Sequence, residues 1–107
     1  MNIGPKEKLL KIINYYGVIP QLKYFQSEVF ELNEAIIKKE IEYKFGETTI
    51  KMDENNLKHI AEEIVDVMVM LEQFKNYYEI SSEEITKIFW DKVDRQLERI
   101  EKENKNA

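Results

Sequence analysis

The chain has no cysteine among its 107 residues. Disulfides, thiolate metal sites and cysteine nucleophiles are thereby excluded. It has one histidine, His59, so any site built on several imidazoles is excluded too, including carboxylate bundles that need Glu-x-x-His twice. Positive charge is scarce: 16 Lys and Arg against 21 Asp and Glu leave a net charge of −5. Affinity for a nucleic acid backbone comes from Lys and Arg, so a general nucleic acid binder is not expected. Long apolar runs are missing. The longest, Ile64 to Leu71, contains Asp66 and is too short to cross a membrane. The N-terminus has no long apolar stretch after its first lysines, so no signal peptide is expected and the cytoplasm is the expected compartment.

Glycine and proline are also few, three and two, and they fall at punctuation points. Pro5 opens a first helix at its first turn, with an apolar stripe of Leu9, Leu10, Ile12, Ile13 and Tyr16 and with Gly17 as its C-terminal cap. Pro20 begins a second helix that fades toward Phe45 and ends at Gly46. Gly46 to Asn56 reads as a loop, with a short extended piece at Thr48-Thr49-Ile50 and with Asp53 or Asn55 capping a third helix that runs to about Tyr78. Ser81 and Glu84 fit a capping box for a fourth helix, which carries Ile85, Phe89, Val93, Leu97 and Ile100 on one face. The tail from Lys102 should fray. With 43% hydrophobic and 35% charged residues, the expectation is an all-α protein of one domain, residues 1–107, with no repeat or linker.

What is abundant is acid in register. Asp66 sits inside the apolar run, and a buried unpaired carboxylate costs several kcal/mol, so a partner is expected, with a cation the obvious one. Glu63 lies one helical turn before it on the same side. Glu28 and Glu31 repeat the arrangement upstream. Around the first pair, Leu22, Phe25, Val29, Leu32 and Ile36 form one apolar face; around the second, Leu57, Ile60, Ile64, Val67 and Leu71 do. At about 100° per residue, the first acid of each pair lies roughly 80° from the centre of its face and the second about 60° further round. Antiparallel packing of Gln21–Phe45 on Leu57–Tyr78 by these faces would bring four carboxylates together along one flank. Such a cluster repels itself unless it holds divalent metal.

Glu28-x-x-Glu31 followed by Glu63-x-x-Asp66, with Gln21-Leu22-Lys23 before the first pair and Met70-Leu71-Glu72-Gln73-Phe74 after the second, resembles the MazG-type all-α nucleoside triphosphate pyrophosphohydrolases. The form is similar to short phage- and Firmicute-type members, and the likeness covers about Gln21 to Arg99. Ser27 departs from the Glu that many members carry, and the gap between the acid pairs is somewhat long. The resemblance implies a four-helix MazG-like bundle completed by oligomerisation. It implies Mg²⁺, with Mn²⁺ able to substitute, held by Glu28, Glu31, Glu63 and Asp66. The implied reaction is attack at the α-phosphorus of a (d)NTP, releasing a nucleoside monophosphate and diphosphate, with Glu62 second to the ligands or acting as general base.

Substrate contacts are expected from Lys92, Arg95 and Arg99, a basic row at i, i+3 and i+7 of the fourth helix, where Arg can grip phosphate oxygens. Gln21 is the candidate for a base or sugar. His59 reads as a stray helix residue, Phe89 and Trp90 as core or interface, and the tyrosines as packing, with one free to stack on a base. A second apolar row on helix two, Phe30, Ile37 and Ile41, points to a homodimer or homotetramer. The competing reading is a non-catalytic helical interaction protein, such as an antitoxin or a phage factor, with the same fold.

Overall fold

A computed structural model describes residues 3–44 and 54–105. Among these the chain is entirely helical, with α1 at Pro5–Tyr16, α2 at Val18–Lys44, α3 at Glu54–Tyr77 and α4 at Ser82–Lys105. None of these helices is long and apolar enough to cross a membrane. The chain divides into two compact units, Met1–Tyr77 and Tyr78–Ala107.

In the first unit α2 and α3 form the main contact, and α1 lies on them, more on α3 than on α2. Residues from the start of α2 meet residues from the end of α3: Gln21 bonds Gln73, and Phe25 meets Phe74 edge-to-face with ring centroids 5.7 Å apart. The pair is therefore antiparallel, as the matching acid pairs suggested. Gly17 turns α1 into α2 with no linker. Its N–H bonds Ile13 O at 2.8 Å, its own oxygen accepts from Gln21 N at 3.2 Å, and its φ of 91° is a conformation that a side chain would strain. Pro20 falls in the first turn of α2 and removes no intrahelical bond there. Ile13 of α1 is fully buried.

The seam between α2 and α3 differs from the expected apolar faces. Gln21, Phe25, Glu28, Leu32 and Ala35 are buried or half-buried along α2, and Ile60, Glu63, Val67, Met70 and Phe74 along α3. Each set follows the alternating four-and-three spacing of knobs packed into holes. The expected face is rotated away from this seam: Leu22, Val29 and Ile36 are 42%, 41% and 41% exposed. Leu57, Ile64 and Leu71 are exposed on α3 as well. Only Phe25, Leu32, Ile60 and Val67 belong to both the expected face and the observed seam.

The second unit is carried by α4. Ser81 caps it, its Oγ accepting from the N–H of Glu84 at 3.1 Å, which is half of the expected capping box. Phe89 and Trp90 meet edge-to-face at 5.1 Å and are exposed, as is the face bearing Ile85, Leu97 and Ile100; Val93 is half-buried. The helix continues to Lys105 rather than fraying from Lys102. The extended piece expected at Thr48 to Ile50 and the cap expected at Asp53 lie outside the described residues. Asn55 falls inside α3 instead of capping it.

Candidate metal centre

Two acids occupy the seam itself. Glu28 is 4% exposed and Glu63 8%, and the Oε2 atom of each is buried with no hydrogen-bond partner. A buried anionic oxygen without a donor is costly, so these two atoms mark a place that lacks its counter-charge. Glu31, one turn beyond Glu28 and exposed, completes a group in which one oxygen from each of Glu28, Glu31 and Glu63 lies within 4.8 Å of the others.

The electrostatics follow from that crowding. Burial pushes the Glu28 carboxyl above its usual range, a hydrogen bond from the Tyr24 hydroxyl opposes the shift, and Glu31, Asp66 and Glu63 add to it. Glu63 is raised by burial and then by Glu31 and Asp66, with His59 acting the other way. The Tyr24 phenol is itself raised, chiefly by its bond to Glu28 and by that carboxylate's charge. Three carboxylates that crowd and repel one another suit a hard divalent cation. The carboxylate group can hold a metal ion.

Asp66 stands differently from its expected setting. It is exposed rather than buried in the apolar run, so the cost of burial falls on Glu28 and Glu63 and not on it. It lies at the edge of the group, close enough to raise both of them. Glu62 is exposed and lines a shallow hollow with Asp66 and Lys58.

His59 is more than a stray helix residue. Its Nε2 lies 3.9 Å from Glu63 Oε1, too far for a hydrogen bond but near enough to lower the cost of the Glu63 charge. Gln21, the candidate for a base or sugar, is buried, and its Nε2 donates to Gln73 Oε1 at 2.8 Å. Gln73 is 2% exposed and carried no expected role; it stands one position before Phe74, outside the four-and-three row of α3.

Two clefts flank the carboxylates. One, of about 780 Å³, is lined by Glu31, Glu63, His59, Lys38 and Lys39, so these lysines share a cleft with two of the acids although they lie two to three turns along α2 from Glu28. The other, of about 540 Å³, is lined by Gln21, Gln73, Tyr16, Tyr24 and Asp66. Phe30 and Ile37 are exposed on α2, with Phe30 at 63%; the side chain of Ile41 lies outside the described residues. Lys92, Arg95 and Arg99 are exposed on α4, in the second unit. No family model, curated protein or solved structure matches this chain.

Proposed function

We propose that this chain is a Mg²⁺-dependent nucleoside triphosphate pyrophosphohydrolase that converts a (d)NTP and water to a (d)NMP and diphosphate. The observation that carries the reading is the carboxylate group of Glu28, Glu31 and Glu63, in which Glu28 and Glu63 each bury an oxygen that has no partner. A core that needed only stability would fill those positions with apolar side chains. A resident Mg²⁺, with Mn²⁺ able to replace it, would offset the phosphate charge and make a bound water more acidic.

Glu28, Glu31 and Glu63 would hold the ion, with Asp66 at the edge of the group as the fourth acid. Tyr24 donates its hydroxyl to the Glu28 carboxylate and would help to orient that ligand. His59 and Glu62, four and one residues before Glu63 in sequence, are the side chains available to accept the proton of the attacking water. Lys38 and Lys39 line the cleft that contains Glu31 and Glu63 and would bind phosphate oxygens as point charges. The exposed row Lys92, Arg95 and Arg99 on α4 is the second source of cations.

Exposed Phe30 and Ile37 support a homodimer or homotetramer, and the bundle would be completed by that assembly. The same rows favour a second reading, a non-catalytic helical interaction protein on this fold. A panel of NTPs and dNTPs incubated with Mg²⁺ separates the two. The hydrolase releases diphosphate from at least one of them, and the interaction protein from none.

A further inference from the structure

We propose that the 540 Å³ cleft among α1, α2 and α3 is a subsite for a nucleobase, read by the Gln21–Gln73 amide pair. The proposal deepens the nucleotide reading above and rests on it for the rest of the substrate. The cleft begins where the carboxylates end. Asp66 and Tyr24 line it, and both act on Glu28, Tyr24 through a hydrogen bond. A molecule seated in the cleft would therefore have its other end at the acids.

Two buried side-chain amides lie along this cleft, and their geometry is fixed. Gln21 Nε2 donates to Gln73 Oε1 at 2.8 Å. That bond uses one N–H of Gln21 and leaves its second N–H and its carbonyl oxygen. Among the described residues Gln73 Nε2 meets the Met70 sulfur, at 3.6 Å, a weak acceptor. The bonded pair thus keeps both donors and an acceptor along the cleft, the combination that the edge of a nucleobase, where the two alternate, calls for.

The walls agree with the edge. Tyr16, Tyr24, Pro20 and Met70 line the same cleft, giving aromatic and thioether surfaces against which a flat ring can stack. Sugars and phosphates have no such face. Among the described residues no Lys or Arg lines this cleft, whereas Lys38 and Lys39 line the one that holds Glu31 and Glu63. The two clefts thus give a nucleotide a direction, with the base toward Gln21 and Gln73 and the phosphates toward Lys38 and Lys39.

The test uses the full chain without metal. Adenosine, guanosine, cytidine, uridine and thymidine are titrated against it, alongside ribose 5-phosphate and pyrophosphate, while NMR follows the side-chain amide signals of Gln21 and Gln73. At least one nucleoside is expected to move both signals saturably, with ribose 5-phosphate and pyrophosphate leaving them in place. Tyr16→Ala, on an exposed wall, should weaken that nucleoside roughly fivefold or more, and Gln73→Met should erase the preference among bases. Amide signals that no nucleoside moves would overturn the proposal, and so would unchanged nucleoside affinity in Tyr16→Ala. Because neither metal nor turnover enters, the two readings fail separately. Absent diphosphate release with intact nucleoside binding would sink the hydrolase alone, and diphosphate release with unmoved amides would sink the base subsite alone.

Discussion

At one end of the α2–α3 seam, Gln21 and Gln73 are buried and bonded to each other at 2.8 Å. Two to three helical turns along, Glu28 and Glu63 are also buried, and one oxygen of each has no partner. Both pairs join the same two helices. The amides are neutral and complementary, so each supplies what the other lacks. The carboxylates are alike in charge and only accept, so neither can satisfy the other. A pair that bonds across the helices holds them in register while keeping spare donors and an acceptor, and a pair of like charges requires something from outside the chain.

The largest expected effect comes from the pair of like charges. Glu63→Gln should lower diphosphate release from a (d)NTP by more than about a hundredfold, since even partners outside the ligand set cost 10- to 100-fold. Steady-state kinetics at saturating Mg²⁺ reads it, and a loss under tenfold would remove Glu63 from the ligands. Breaking the bonded pair should act on stability as well. Gln21→Ala leaves Gln73 Oε1 buried without its donor, at a cost of about 1–3 kcal/mol. Thermal unfolding should show a lower Tm, by about 4–8 °C per kcal/mol in a unit of this size.

A smaller effect is expected with pH. Glu28 and Glu63 bind protons more tightly in the fold than in the unfolded chain. Their contribution to metal-free stability therefore increases as pH falls through their raised values toward the ordinary carboxylate value of about 4.3. Denaturant midpoints of the wild type minus those of Glu28→Gln, measured from pH 8 to pH 4, should rise on acidification. Saturating Mg²⁺ should flatten that difference.

The same contrast explains what the sequence revealed. The helices were legible because Pro5, Gly17 and Ser81 act locally, through φ restriction, positive φ and side-chain capping. The antiparallel pair followed from two acid pairs with the same spacing. The seam was misplaced because a face chosen by hydrophobicity assigns polar residues to the outside. Here Gln21, Glu28 and Glu63 lie in the seam with Gln73 buried beside it, and Leu22, Val29 and Ile64 are left exposed. Asp66 misled for the same reason, because apolar neighbours in sequence are not neighbours in space. Glu28, Glu31 and Glu63 were legible as a group, whereas the lysines in the adjoining cleft were hidden by their distance along α2.

The most direct test is a Mg²⁺ titration of thermal stability in the wild type and in Glu28→Gln. Binding to the native state at about a hundred times Kd contributes about 2.7 kcal/mol, so the wild-type Tm should climb by several degrees. Glu28→Gln should start above the metal-free wild type, with one repelling charge gone, and should respond little to Mg²⁺. A wild-type Tm that does not move with Mg²⁺, with Glu28→Gln melting below it, would contradict a cation site in the seam.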